Sequence, residues 1–293
     1  MQSLWAMQRR RPDGQEWPLE EQVRMIAEAG FDGASVDFGD AALARRATRL
    51  LAGHGLTWQV EAFVATVAAL EPIVALWSEL GGSHINLLPV VRPYRIEQAI
   101  PFIEGWRAIA RRAGAPLNIE THRNELTNDL IFTLHLLDRI PDLRLEADLS
   151  HYLVGREMWF PVDAANHALM HRILDNAWGL QGRVASREQI QVPLFPHLGH
   201  WLDLFLGWWD YGMRSWRGRA GPDAALTFLC ELGPPDYAIT GADGYELSDR
   251  WREANRLKDL ARGLWRRIED EASGASEATT TAPARAAGRG RTT

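Results

Sequence analysis

The sequence predicts an α/β protein built as one (β/α)8 barrel. Short apolar runs alternate with longer amphipathic stretches, which is the pattern of repeated strand–helix units around a parallel sheet. Eight such units can be counted along the 293 residues. Glycines also stand where several helical patterns give way to the next apolar run, as expected of helices that end in a left-handed residue.

Candidate strands begin near Ser3, Gly33, Thr57, His84, Leu117, Leu143, Gly179 and Leu226. The helical pattern occupies 19–29, 41–52, 67–80, 96–113, 129–139, 163–176, 201–216 and 248–272. Gly30, Gly55, Gly81 and Gly114 close four of these helices, and a strand follows each. Such helix-to-strand turns lie on the lower face of a barrel, so the residues just after each strand lie on the upper face, where barrel enzymes place their chemistry. The longest upper connections, 152–161, 183–200 and 233–247, follow the last three strands and are expected to wall a pocket. Two segments result: a barrel over residues 1–271 and a disordered tail over 272–293, rich in Ser, Thr, Ala, Gly and Arg.

Composition narrows the function classes. The chain is 46% hydrophobic and 24% charged, ordinary for a globular protein. It has no apolar run long enough to cross a bilayer and no apolar stretch after the basic residues of its first eleven, so it reads as cytoplasmic, without membrane attachment. One cysteine, Cys230, excludes an internal disulfide and a CxxC site. The single lysine, Lys258, falls on the last helix and argues against Schiff-base chemistry. A formal net charge of −6 lacks the basic footprint of a nucleic-acid binder. Trp208, Trp209 and Trp216 form an aromatic helix face that serves either the core or a contact between copies in a homo-oligomer.

Four segments at strand ends carry chemistry: Asn118-Ile119-Glu120-Thr121-His122-Arg123, Asp148-Leu149-Ser150-His151, Leu180-Gln181-Gly182-Arg183 and Cys230-Glu231-Leu232-Gly233. Glu120, Asp148 and Glu231 converging on one barrel mouth would repel one another, and either a divalent cation or arginines must compensate. Arg123, Arg183 and Arg187 are the candidates for the second solution. Because side chains alternate along a strand, Glu120 and His122 share a face, as do Gln181 and Arg183. Glu146 shares the parity of Asp148 and is expected lower in the barrel, in a buried ion pair.

These segments resemble the xylose-isomerase-like TIM barrels, the superfamily of sugar isomerases and epimerases, over residues 4–267. The resemblance implies one divalent metal held by acidic side chains after the fifth, sixth and eighth strands, here Glu120, Asp148 and Glu231, and by a histidine after the seventh. Gln181 stands in the histidine's place, which turns the expected ion toward manganese or magnesium; His197 or His200 in the following loop is the alternative fourth ligand. His151, three residues after Asp148, matches a substrate-binding histidine of that family. The implied reaction is metal-assisted proton transfer through an enediolate on a ketose, a cyclic polyol ketone or a sugar phosphate. Glu120 and Glu231 would be the catalytic acid and base on opposite sides of the carbohydrate, with His122, Arg123, His151, Arg183 and Arg187 binding its oxygens. A dehydratase sharing the first step, or a metal-free barrel that binds a sugar or a partner without catalysis, are the alternatives.

Overall fold

The computed structural model describes residues 1–11, 13–221 and 223–280, with side chains through 273. Eight parallel strands close into a barrel in chain order: β1 (Gln2–Ser3), β2 (Gly33–Asp37), β3 (Thr57–Val64), β4 (Ile85–Pro89), β5 (Leu117–Glu120), β6 (Leu145–Ala147), β7 (Ala177–Gly182) and β8 (Thr227–Cys230). Closure is made by Gln2 of β1, paired with Ala34 on one side and Cys230 on the other. The helices are α1 (Leu19–Glu28), α2 (Ala41–Gly53), α3 (Leu70–Leu80), α4 (Ile96–Arg112), α5 (Leu130–Arg139), α6 (Ser150–Gly155), α7 (Ala164–Leu174), α8 (Gly199–Arg219) and α9 (Arg250–Thr280).

The local chemistry explains these limits. Asp40, Asp129 and Asp163 cap α2, α5 and α7 by accepting hydrogen bonds from the first free backbone N–H groups. Gly30 and Gly114 follow α1 and α4 with φ of 70° and 69°, the left-handed conformation that frees the chain to enter β2 and β5. The short α6 was not expected, since six residues are too few to show a helical period; it turns the chain at the end of β6. At the other end, the backbone of α9 continues past the expected boundary at 272, to Thr280. Residues 281–293 of the expected tail lie outside the described residues.

The core is the layer between barrel and helices. Trp208, Trp209 and Trp216 are all buried in it, so the aromatic face of α8 serves packing. Lys258 lies on α9, as the sequence indicates, but its Nζ donates to the Ala29 carbonyl instead of facing solvent. Among the described residues no helix is long and apolar enough to cross a membrane.

Inside the barrel, alternation along each strand stacks polar side chains in two tiers. In the lower tier Glu146 is fully buried and its Oε2 accepts from His84 Nε2 and Asn118 Nδ2, each at 3.0 Å. That is the buried pair expected for Glu146. Gly179 on β7 gives it room: a Cβ there would lie 2.0 Å from Glu146 Oε2. In the upper tier Asn86 Nδ2 donates to both Glu61 and Glu120, tying β3, β4 and β5 together.

Candidate active site

The upper tier places Glu120, Asp148 and Glu231 together at the mouth, where one oxygen from each lies within 4.8 Å of the others. Each stands at or just past its strand end, because the inward parity of β5, β6 and β8 leaves these positions facing the axis. Arg183, two residues beyond Gln181 on the same face, enters this cluster. Its Nη1 donates to Asp148 Oδ2 at 3.0 Å, its Nη2 to Glu231 Oε2 at 2.7 Å and its Nε to the Glu231 carbonyl at 2.9 Å. The guanidinium is 1% exposed and lies 4.7 Å from the Tyr237 ring centroid.

Asp148 has no oxygen to spare. Oδ1 accepts from the Ser150 backbone N–H at 2.9 Å and from the Ser150 hydroxyl, and Oδ2 is shared by Arg183 and His151, the latter at 3.2 Å. Burial would raise the Asp148 proton affinity, but the Arg183 charge and the bonds from His151 and Ser150 outweigh it and hold Asp148 ionised, below the usual carboxylate range. The other acids move the opposite way. Burial first, and then Glu231, Glu61 and Asp148, push Glu120 well above its ordinary value. Burial raises Glu231 to about 8 although Arg183 pulls it down, and burial raises Glu61 to about 7. These carboxyls titrate as a group.

The histidines form a second layer. His151 is buried against the His122 ring, with centroids 4.1 Å apart. Burial, followed by the neighbouring His151, lowers His122 to about 3, so it is neutral at physiological pH. Its Nε2 faces the Tyr237 hydroxyl at 3.5 Å.

A cavity of about 550 Å³ opens above this cluster, lined by Glu61, Glu120, His122, Arg183, Glu231 and Tyr237 on the polar side. Its apolar wall comes from the first four strands and the segments that follow them, through Leu4, Trp5, Val36, Leu43, Phe63 and Leu88. The expected wall is therefore corrected. Of the three long loops after the late strands, 183–200 supplies Arg183 and 233–247 supplies Tyr237, while 152–161 supplies no lining residue among those described. The reason is that these loops pack on one another: Phe160 lies against His200 and Trp201, and Arg187 stacks 3.5 Å from the Trp159 ring centroid and pairs with Glu188.

The other expected site residues fall as follows. Arg187 and His151 do not line the cavity; His151 orients Asp148 from behind. Arg123 lies 5.1 Å from the Tyr237 ring centroid and lines a small separate cleft with His151. His200 rests on Phe160 and His197 near Phe195, so neither completes a ligand set. Gln181 is 1% exposed, and neither of its amide atoms has a hydrogen-bond partner among the described residues. Trp5, Asn86, Ser150 and Tyr237 were missed. Only Tyr237 carried a signal, its place in a long upper loop.

The donor set does not fit the expected manganese or magnesium ion. The three carboxylates are close enough to hold one, but Arg183 already takes an oxygen from two of them and Asp148 has all its lone pairs engaged. Gln181 offers one neutral oxygen, which does not offset a guanidinium at the same carboxylates. A second group, Glu120, His122 and His151, has similar spacing, but the His151 Nε2 already faces Asp148 Oδ2 at 3.2 Å and Arg183 Nη1 at 3.4 Å, and burial first, against the pull of Asp148, lowers the His151 proton affinity. Of the three candidate arginines, Arg183 is the one that pairs with these carboxylates among the described residues.

The architecture has counterparts among solved structures. The chain matches a xylose isomerase-like TIM barrel protein from Mycobacterium smegmatis in complex with magnesium, at TM-score 0.59 and 14% identity over 90% of this chain and 96% of that one. The chain has the xylose isomerase-like barrel fold. A sugar phosphate isomerase/epimerase from Parabacteroides distasonis shares this xylose isomerase-like architecture at TM-score 0.56 and 9% identity, covering 92% of this chain and 94% of that one. A family 2 AP endonuclease from Brucella melitensis matches at TM-score 0.50 and 16% identity, over 80% and 92%. No protein-family model and no curated protein sequence matches the chain.

Proposed function

We propose that this xylose isomerase-like barrel is a metal-independent isomerase of a polyhydroxy carbonyl compound, with Glu120 and Glu231 as the proton-transfer pair. The observation that carries the reading is the placement of two buried carboxyls of raised proton affinity on one cavity floor, beside a guanidinium that holds Asp148 and Glu231. Carboxyls tuned toward neutrality are suited to take and return protons near physiological pH.

The division of labour follows from the environments. Glu120, farthest raised and without an arginine partner, starts protonated and donates to the carbonyl oxygen. Glu231, held by Arg183, is the more readily ionised and removes the proton from the adjacent carbon. The enediol that results has its second hydroxyl near Glu120, now a carboxylate, which takes that proton while Glu231 returns its own to the neighbouring carbon. No proton is gained or lost over the cycle. Neutral His122 and the Tyr237 hydroxyl supply hydrogen bonds to substrate oxygens, and the Arg183 charge offsets the negative charge that develops.

The spacing favours isomerisation on one face over transfer between two. One oxygen of Glu120 and one of Glu231 lie within 4.8 Å of each other, which suits two carboxyls acting from the same side of a substrate held above them. The acidic floor also suits a carbohydrate far better than a phosphate backbone.

Turnover in deuterium oxide with a panel of ketoses, aldoses and inososes tests the reading. Deuterium should enter the carbon next to the carbonyl, and Glu120→Gln and Glu231→Gln should each lower kcat by at least about 10²-fold while binding survives. A substrate turned over without deuterium incorporation, or by both variants at the parent rate, would falsify it.

A further inference from the structure

We infer that the cavity selects an uncharged substrate bearing an apolar group at the end remote from its carbonyl, and rejects phosphorylated sugars. The inference rests on the isomerase reading of the floor but is carried by the opposite wall and by the charge of the lining.

The ionisable lining residues are Asp37, Glu61, Glu120 and Glu231 against Arg183, whose Nε, Nη1 and Nη2 are all engaged by protein oxygens. A phosphate dianion entering this space would meet acidic side chains and, among the described lining residues, no free cation. Helix N-termini are the other common phosphate receptors. The two helices that line this cavity carry acids there instead: Asp40 caps α2, and Glu20 and Glu21 occupy the first turn of α1.

The apolar wall is the positive half of the argument. Leu4, Trp5, Val36, Leu43, Phe63 and Leu88 line one continuous side, and Phe63 and Leu43 are 55% and 45% exposed. Large apolar side chains left open inside a cavity, against a polar floor, mark a ligand with a matching apolar part. A cavity of about 550 Å³ lies in the range of ligands larger than a bare sugar. Gly233 shapes the junction of the two halves, since a Cβ there would lie 2.4 Å from the Trp5 ring. The hydroxy-carbonyl end therefore sits on Glu120 and Glu231, and the remote end lies along Phe63 and Leu43.

Three ligands that differ at one hydroxyl decide the matter: a D-ketohexose, its 6-phosphate and its 6-O-benzyl ether, taken through the four D-ketohexose configurations. Isothermal titration of the full chain should show the benzyl ether of at least one configuration binding about tenfold or more tighter than the free sugar, with the phosphate weaker than either. Phe63→Ser and Leu43→Ser alter exposed side chains and leave the core intact; they should bring the affinity for the benzyl ether down to that for the free sugar. The inference is overturned if the phosphate binds as tightly as the free sugar, if no benzyl ether gains affinity, or if the gain survives both variants. Because the readout is binding, tight benzyl-ether binding without turnover by the parent protein counts against the isomerase reading alone.

Discussion

Arg183 grips Glu231 twice, donating from Nη2 to the carboxylate at 2.7 Å and from Nε to the backbone carbonyl at 2.9 Å. The second bond fixes the guanidinium to the end of β8, so its remaining face must point at Asp148. Removing one member of a buried pair leaves an uncompensated charge and costs about 3–5 kcal/mol. Arg183→Gln should lose stability of this order in urea unfolding, whereas Arg187→Gln, at a pair on the surface, should change it by less than about 1 kcal/mol. Equal losses in the two variants would show that Arg183 does not hold the cluster.

The same geometry predicts how the protein responds to metal. Neither EDTA nor millimolar manganese or magnesium should shift the melting temperature or activity of the parent chain. Arg183→Gln frees oxygens on Asp148 and Glu231 and should gain a cation site. At an ion concentration 100 times its Kd, that site would add about 2.7 kcal/mol to the variant's stability. A rise in the parent's melting temperature with manganese would restore the metal-dependent alternative.

The carboxyl cluster also sets a pH dependence. Glu231 and Glu61 are raised from 4.5 to about 8 and about 7, and Glu120 is raised further above 4.5, so the folded state binds protons more tightly than the unfolded chain. Their contribution to stability is complete below pH 4.5 and is lost as pH rises through the folded values. Asp148 is lowered from 3.8, so its contribution is present above that value and is lost as pH falls below it. The melting temperature should thus decline from about pH 5 to pH 8, and Glu231→Gln should flatten the decline. An identical slope in parent and variant would count against a raised Glu231.

Two glycine substitutions should act with opposite sign. At Gly179 a Cβ would meet Glu146 Oε2 at 2.0 Å and Oε1 at 2.3 Å, and His84 and Asn118 hold that carboxylate in place. Gly179→Ala should destabilise by at least about 1–3 kcal/mol. Gly53 ends α2 with open space around its missing Cβ and no positive φ, so Gly53→Ala should stabilise by about 0.4–1 kcal/mol. Chemical denaturation measures both, and a neutral Gly179→Ala would mean that the lower tier can shift.

The sequence by itself determined the barrel and the acids at its mouth. Alternating apolar runs, helix-closing glycines and the period of two along a strand are local properties, so they placed the strands and set Glu120, Asp148 and Glu231 facing inward. The spacing of three between Asp148 and His151 was equally legible, because it spans a single strand-to-helix corner. Only the tertiary structure decided what balances those acids. Arg123, Arg183 and Arg187 look alike in the chain, and which guanidinium reaches Asp148 and Glu231 depends on where β7 and β8 lie side by side and on Glu188 and Trp159 engaging Arg187. The position of the cavity was decided in the same way. Its apolar wall joins residues from the first four strands and the segments that follow them, far apart in sequence, and no local pattern records that the later loops pack on one another and leave this half of the mouth open.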